Sequence, residues 1–167
     1  MRAPSDETRE KGMPEAELQR ESPLFWPAHM KGDTLYVLDE TALPGRMTYL
    51  PVTTPAQAVA VIRQMKTRAF GQFLVVLNTF LLVLARSRPA RPEVLVSRIA
   101  KTAAALNASR PTFPFAEVTA IVTGWARQAQ GQGLDIPSTL TKNIQGYLAG
   151  IRARRLDRVR RIAAIIA

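Results

Sequence analysis

"VLDETALPGRMTYL", residues 37–50, joins two short apolar runs through a proline–glycine pair. β-Branched and aromatic residues in 34–38 and 47–52 are typical of strands, and Pro44-Gly45 between them favours a turn. The stretch therefore predicts a small β-hairpin at the N-terminal edge of the fold.

The chain that follows this hairpin has the apolar spacing of helices. Thr54-Pro55 is a good helix start, because a hydroxyl can cap the first amides and proline suits the first helical position. Proline-rich and glycine-rich breaks separate the later segments. The predicted helices cover residues 55–66, 72–86, 92–107, about 117–130 and 137–166. We expect a mainly α fold, a helical bundle with a small N-terminal β-hairpin.

Charge and composition divide the chain into two parts. Residues 1–30 hold six of the 13 acids and four of the 23 bases, with little periodicity, which predicts a flexible N-terminal arm. Residues 31–167 form one helical domain with a net charge of +12. A basic domain favours anionic partners such as sugar phosphates, nucleotides, nucleic acid or an acidic protein.

The composition argues against several kinds of chemistry. The chain has no cysteine and a single histidine, His29, so we expect no metal site, no cofactor and no thiol or histidine triad. Residues 70–85 are apolar but short and interrupted by polar groups, which favours a buried helix over a membrane span. The polar N-terminus lacks a secretory signal, so we expect a cytoplasmic protein without membrane contact.

The order of several short motifs resembles the N-terminal domain of methylthioribose-1-phosphate isomerases. That fold family also contains ribose-1,5-bisphosphate isomerase and the regulatory subunits of the exchanger of eukaryotic initiation factor 2 (the 2B complex). The matching positions are Leu38, Asp39, Leu43, Pro44, Tyr49, Leu50, Met65, Arg68 and Ser109-Arg110-Pro111-Thr112. The resemblance implies a helical N-terminal domain and a relation to methionine salvage.

The resemblance also implies a phosphate site at Arg68 and Arg110, which match two loop arginines that hold the substrate phosphate in the isomerases. A guanidinium suits this role because it presents a planar fork of donors and stays charged. The residues alone favour two ordinary solvated arginines near helix ends, and it is the resemblance that supports a phosphate site. Ala69 and Phe70 replace the family's glycine and alanine, and Phe113-Pro114-Phe115 replaces alanine, valine and asparagine, so both loops depart from the pattern.

The family's catalytic cysteine and aspartate belong to a C-terminal domain that this sequence does not contain. We therefore expect a diverged stand-alone domain, a non-catalytic module for phosphate-ligand binding or assembly. One alternative is a piece of an aldose–ketose sugar-phosphate isomerase whose catalytic domain is a separate chain. The other is a basic nucleic-acid-binding helical domain.

The last helix is basic and amphipathic. Six arginines between Ile151 and Ile166 are opposed only by Asp157. This pattern allows a core-packing helix with a solvated face, a partner-binding helix, or a surface for nucleic acid or membrane. We expect a homo-oligomer or a catalytic-domain partner to bury an interface formed by Phe70, Phe73, Phe113, Phe115, Ile162 and Ile166.

Overall fold

The computed structural model of the chain describes residues 22–87 and 90–166, with the side chain of residue 166 left aside. Within this part, a three-stranded antiparallel sheet at the N-terminal edge precedes five α-helices. The predicted fold class, mainly α with a small N-terminal β element, is confirmed.

The sheet has one more strand than the predicted hairpin. Strands β1 (Ala28–Lys31), β2 (Thr34–Leu38) and β3 (Tyr49–Val52) lie in the order β1-β2-β3. Lys31 pairs with Thr34 across a two-residue turn, in which Gly32 adopts φ 59°, a conformation that favours glycine. Residues 28–30, predicted to belong to the flexible arm, are therefore part of the sheet, and residues 1–21 of that arm lie outside the described residues.

The connection from β2 to β3 is longer than a hairpin turn. A short 3-10 turn at Glu40–Ala42 follows Asp39 and precedes Pro44-Gly45. Strand β3 begins at Tyr49 and not at Met47, whose side chain is exposed. The ten-residue loop 39–48 places acidic side chains near the start of the second helix, where they meet the candidate site.

The helices are α1 (Pro55–Arg63), α2 (Ala69–Arg86), α3 (Pro92–Ser109), α4 (Phe115–Gly131) and α5 (Ile136–Ile166). Thr54 and Gln57 form a reciprocal capping box at the start of α1, as the sequence predicts for a threonine N-cap. Helix α1 ends three residues before the predicted end, because Met65 turns the chain with φ 53°.

Helix α2 forms the centre of the core. Its residues from Gly71 to Leu84 are buried with few exceptions, and it contacts the sheet and the four other helices. By length and composition α2 is apolar enough to cross a membrane, with a mean hydropathy of 1.7, but 72% of that stretch is buried inside the protein. This burial agrees with the predicted core helix.

The later helices bury only part of their apolar faces. Leu95, Ile99, Ala103 and Leu106 of α3 are buried, whereas Val94 near its start is exposed. In α5, Leu140 and Ile144 are buried, but Val159 and Ile162 are exposed. The apolar side chains of α5 therefore extend beyond the core.

Candidate functional site

A surface cleft of about 450 Å³ lies where the 39–48 loop, the start of α2, the segment before β1 and the middle of α5 meet. Its walls combine apolar side chains with two arginines and one carboxylate. The lining residues are Leu24, Pro27, Glu40, Leu43, Pro44, Arg68, Phe70, Gly71 and Arg155.

Arg68 stands at the mouth of this cleft, as the residue that precedes helix α2. Its backbone is extended and its side chain is 86% exposed, with Nε 3.7 Å from an oxygen of Glu40. The first amides of a helix lack partners within the helix and carry partial positive charge, so Arg68 adds a full charge where an anion is already favoured.

Glu40 is the opposing charge in the cleft. Its Oε1 accepts hydrogen bonds from the Arg68 amide at 2.9 Å and from the Thr67 hydroxyl. The carboxylate therefore stabilises the entry into α2 and partly neutralises Arg68. An anionic ligand in the cleft would have to compete with it.

Asp39 fixes the loop that carries Glu40. The buried carboxylate accepts hydrogen bonds from the hydroxyl and the amide of Thr41, and it pairs with Lys66 Nζ at 3.1 Å. The Thr41 hydroxyl bond lowers the pKa of Asp39 and Lys66 lowers it further, against the opposing effect of burial. In the backbone, the Asp39 amide donates a hydrogen bond to the Thr48 carbonyl, and the Glu40 amide donates one to the Lys66 carbonyl. These bonds also hold the loop in place.

Arg155 of helix α5 forms the far wall of the cleft, and the sequence analysis did not single it out. Its guanidinium carbon lies 3.7 Å from the ring centre of Phe70 and 5.1 Å from that of Phe25, an arrangement in which the rings attract the cation. Its Nε is buried without a hydrogen-bond partner. Burial, and then the charge of Arg158, lower the pKa of Arg155. One signal in the sequence could have identified Arg155: it is a charged residue four positions after Ile151, on the apolar side of the last helix.

Arg110, the second predicted phosphate ligand, does not line this cleft. Its Nη1 donates to Gln72 Oε1 at 2.7 Å, and its guanidinium lies 5.0 Å from the ring centre of Phe113. Gln72 belongs to the first turns of α2 and donates in turn to the Thr67 carbonyl at 2.9 Å. Arg68 and Arg110 thus both reach the start of α2, the first directly and the second through Gln72.

The five predicted interface residues whose side chains are described separate into three groups. Phe70, Phe73 and Phe113 are partly buried and pack against the core, whereas Phe115 is fully buried. Phe115 cannot meet a partner, because it starts helix α4 inside the core. Ile162 is exposed, and the side chain of Ile166 lies outside the described residues.

Within residues 22–87 and 90–166, no group of three or more His, Asp or Glu side chains is placed to hold a metal ion. The two acids nearest the cleft, Asp39 and Glu40, are engaged in the hydrogen bonds of the loop and of the α2 start. The charged side chains that line the cleft are therefore two arginines, Arg68 and Arg155, and one carboxylate, Glu40.

The comparisons with known proteins agree with the fold. Neither the scan against protein-family models nor the search of curated proteins gave a match. Among solved structures, the chain is similar to 5-methylthioribose 1-phosphate isomerase from Pyrococcus horikoshii, with a TM-score of 0.60 and 14% identity. The match covers 83% of this chain but only 39% of the isomerase chain. At this identity the likeness shows a shared fold alone.

Proposed function

We propose that the chain is a non-catalytic module that binds a phosphate-bearing small molecule in the cleft at the start of α2. The observation that carries the proposal is the exposed guanidinium of Arg68 beside the first turn of a helix, within a cleft of ligand size. Phosphate oxygens are good acceptors for a guanidinium, and they also suit helix N-terminal amides.

The proposal gives Arg68 and Arg110 different weights. Arg68 lines the cleft and makes the direct phosphate contact, whereas Arg110 is held by Gln72 and contributes mainly through its charge. A sugar phosphate is the first ligand class to examine, since the similar solved structure is named as an isomerase of 5-methylthioribose 1-phosphate. Nucleotides share the phosphate and form the second class.

The non-catalytic part of the proposal rests on proton chemistry. An aldose–ketose isomerisation needs groups that move protons between neighbouring carbons. Asp39 is tied to Lys66 and Thr41, and Glu40 is tied to Thr67 and Arg68, so neither is available as a mobile base. The alternative is that the chain is a fragment of an isomerase completed by a separate catalytic-domain chain. Such a fragment would have the same cleft, and turnover would appear when that chain is added.

Isothermal titration of 5-methylthioribose 1-phosphate, with the dephosphorylated sugar as control, tests the ligand class. The proposal expects heat of binding for the phosphate ester only, and no isomer formed by the chain alone. Equal binding of the two sugars would reject phosphate recognition, and turnover by the purified chain would reject the non-catalytic role.

A second candidate function, assembly with another chain, is favoured by the uncovered end of α5. Val159, Ile162 and Ile165 there are exposed large apolar side chains on one helix. Light scattering over a concentration series tests assembly with a second copy, and pull-down by a defined partner tests hetero-assembly. A strict monomer that also binds no defined partner would reject the assembly function.

A further inference from the structure

The end of helix α5 projects away from the core. Every residue from 157 to 165 is exposed, a stretch of about 13 Å at 1.5 Å per residue. Arg155, two positions before this stretch, still contacts the rest of the protein by stacking on Phe70 and Phe25. The projecting part, residues 157–165, is called the α5 end below.

The apolar side chains of the α5 end continue the face with which α5 packs on the protein. Ile151 packs against the core and Arg155 stacks on Phe70, and residues 159 and 162 follow at spacings of four and three. Such spacings keep residues on one side of a helix. Val159, Ile162 and Ile165 are nevertheless 52%, 57% and 84% exposed. The packing face of α5 therefore continues into a region where the described residues leave it largely uncovered.

The charges around this face select the chemistry of its partner. Residues 154–165 contain five arginines and one aspartate, and Asp157 is already paired with Arg161 at 2.9 Å. Three more arginines, Arg154, Arg158 and Arg160, are exposed, and Asp157 is the one acid of that stretch. A partner with carboxylates beside an aliphatic ridge would complement both properties.

A second copy of the chain is a poor occupant. A two-fold interface uses the same patch on both subunits, so the arginines of the two α5 ends would face each other. An anionic membrane surface is also a weaker fit, because the exposed apolar residues of the α5 end are valine and isoleucine, whereas membrane-surface helices favour Trp, Phe and Leu.

From these observations we infer that the α5 end docks an acidic amphipathic helix of another protein. The partner's aliphatic side chains cover Val159, Ile162 and Ile165, and its carboxylates pair with Arg158 and neighbouring arginines. This inference rests on the proposed assembly function and specifies its partner. It is independent of ligand binding in the cleft, which uses Arg68.

The probe is a fluorescein-labelled, 18-residue designed helical peptide with leucines at i, i+3, i+4 and i+7 spacing, flanked by glutamates. A second peptide has lysines in place of the glutamates. Anisotropy titrations with the full chain should show the acidic peptide binding at least about tenfold more tightly than the lysine peptide. Equal affinities, or no binding of either peptide, would overturn the inference.

Variants locate the site. Ile162→Gln and Arg158→Glu should each weaken binding of the acidic peptide by about fivefold or more, because they remove the apolar contact and the charge complement. Val94→Gln is the matched control, since Val94 is an exposed valine on helix α3, and it should change nothing. Circular dichroism checks that all three variants stay folded. Unchanged binding in both α5 variants would overturn the inference.

Two further measurements separate this inference from the broader assembly function. If the chain self-associates, Ile162→Gln abolishes this self-association and neither peptide binds, the assembly function is supported and the inference of an acidic partner helix is overturned. Co-sedimentation with vesicles of phosphatidylcholine and phosphatidylserine in a 3:1 ratio, without peptide binding, would overturn both and indicate a membrane-surface helix. Binding of the acidic peptide without vesicle binding supports the inference.

Discussion

Replacing Asp39 by asparagine should weaken the loop that carries Glu40 into the cleft. The carboxylate accepts two hydrogen bonds from Thr41 and pairs with Lys66 at 3.1 Å. Hydrogen bonds to a charged group contribute about 1.5–3 kcal/mol each, but an asparagine oxygen can keep the Thr41 contacts as a neutral acceptor. The Lys66 side chain is partly exposed, so its pair counts for less. We expect a loss of about 1–2 kcal/mol in the free energy of unfolding.

The pH dependence provides a second signature of the same carboxylate. The folded-state pKa of Asp39 is lowered, so the unfolded state takes up the proton first as the pH falls. The stabilisation is therefore complete above the unfolded carboxyl pKa of about 3.9, and it is lost as the pH falls through the folded pKa. Asp39→Asn should remove this part of the acid destabilisation and leave the curve flatter below about pH 4.

Urea unfolding, followed by the fluorescence of Trp26 and Trp125, measures both effects between pH 7 and pH 3. The matched control is Asp33→Asn, because Asp33 pairs with Arg86 at 3.1 Å in an exposed position, where such pairs contribute about 1 kcal/mol or less. If Asp39→Asn costs no more than Asp33→Asn and leaves the acid limb unchanged, the reasoning from burial and hydrogen bonding is refuted.

Two further substitutions examine the walls of the cleft. Gly71→Ala should lower the free energy of unfolding by about 1–3 kcal/mol in a thermal unfolding assay, because the new Cβ would lie 1.8 Å from Thr67 Oγ1. The control is Gly146→Ala, which has open space around it and should be neutral or stabilising in that assay. Glu40→Gln should tighten phosphate-ester binding about two- to fivefold in a calorimetric titration, because the carboxylate that competes with the ligand for Arg68 is lost. Weaker binding by this variant would show that Glu40 contacts the ligand favourably.

The helices were predictable because local signals and packing agree. Thr54-Pro55 caps α1 as expected, and α3 begins at the predicted Pro92. The apolar composition of residues 70–85 also identified α2 as a core helix, although polar groups interrupt the stretch. Where the pattern was strong and the breaks contained proline or glycine, the structure follows the sequence.

The missing strand shows the limit of local patterns. Strand β1 has only four residues, two of which are His29 and Lys31, so it lacks a strong alternation of apolar residues. It forms because its backbone pairs with β2 and because Ala28 is buried in the core. Such pairing is a tertiary effect that composition does not reveal.

The site was only partly predictable for a similar reason. Arg68 could be singled out from its motif, but Arg155 lies 87 positions later and reaches the cleft only through the packing of α5 on Phe70. Phe115 was predicted to belong to an interface with a partner, whereas it begins helix α4 with its side chain in the core. Periodicity gives the face of a helix, but it does not give the length over which that face is covered, as the α5 end shows.

The central claim is that Arg68 binds the phosphate of a ligand in the cleft, and calorimetric titration of 5-methylthioribose 1-phosphate into matched variants tests it most directly. Arg68→Ala removes a charged hydrogen bond of about 1.5–3 kcal/mol, which corresponds to a loss of about 10- to 150-fold in affinity. Arg127→Ala removes the same charge from an exposed position on α4 and should leave the affinity unchanged. Equal affinities of wild type, Arg68→Ala and Arg127→Ala would contradict the account.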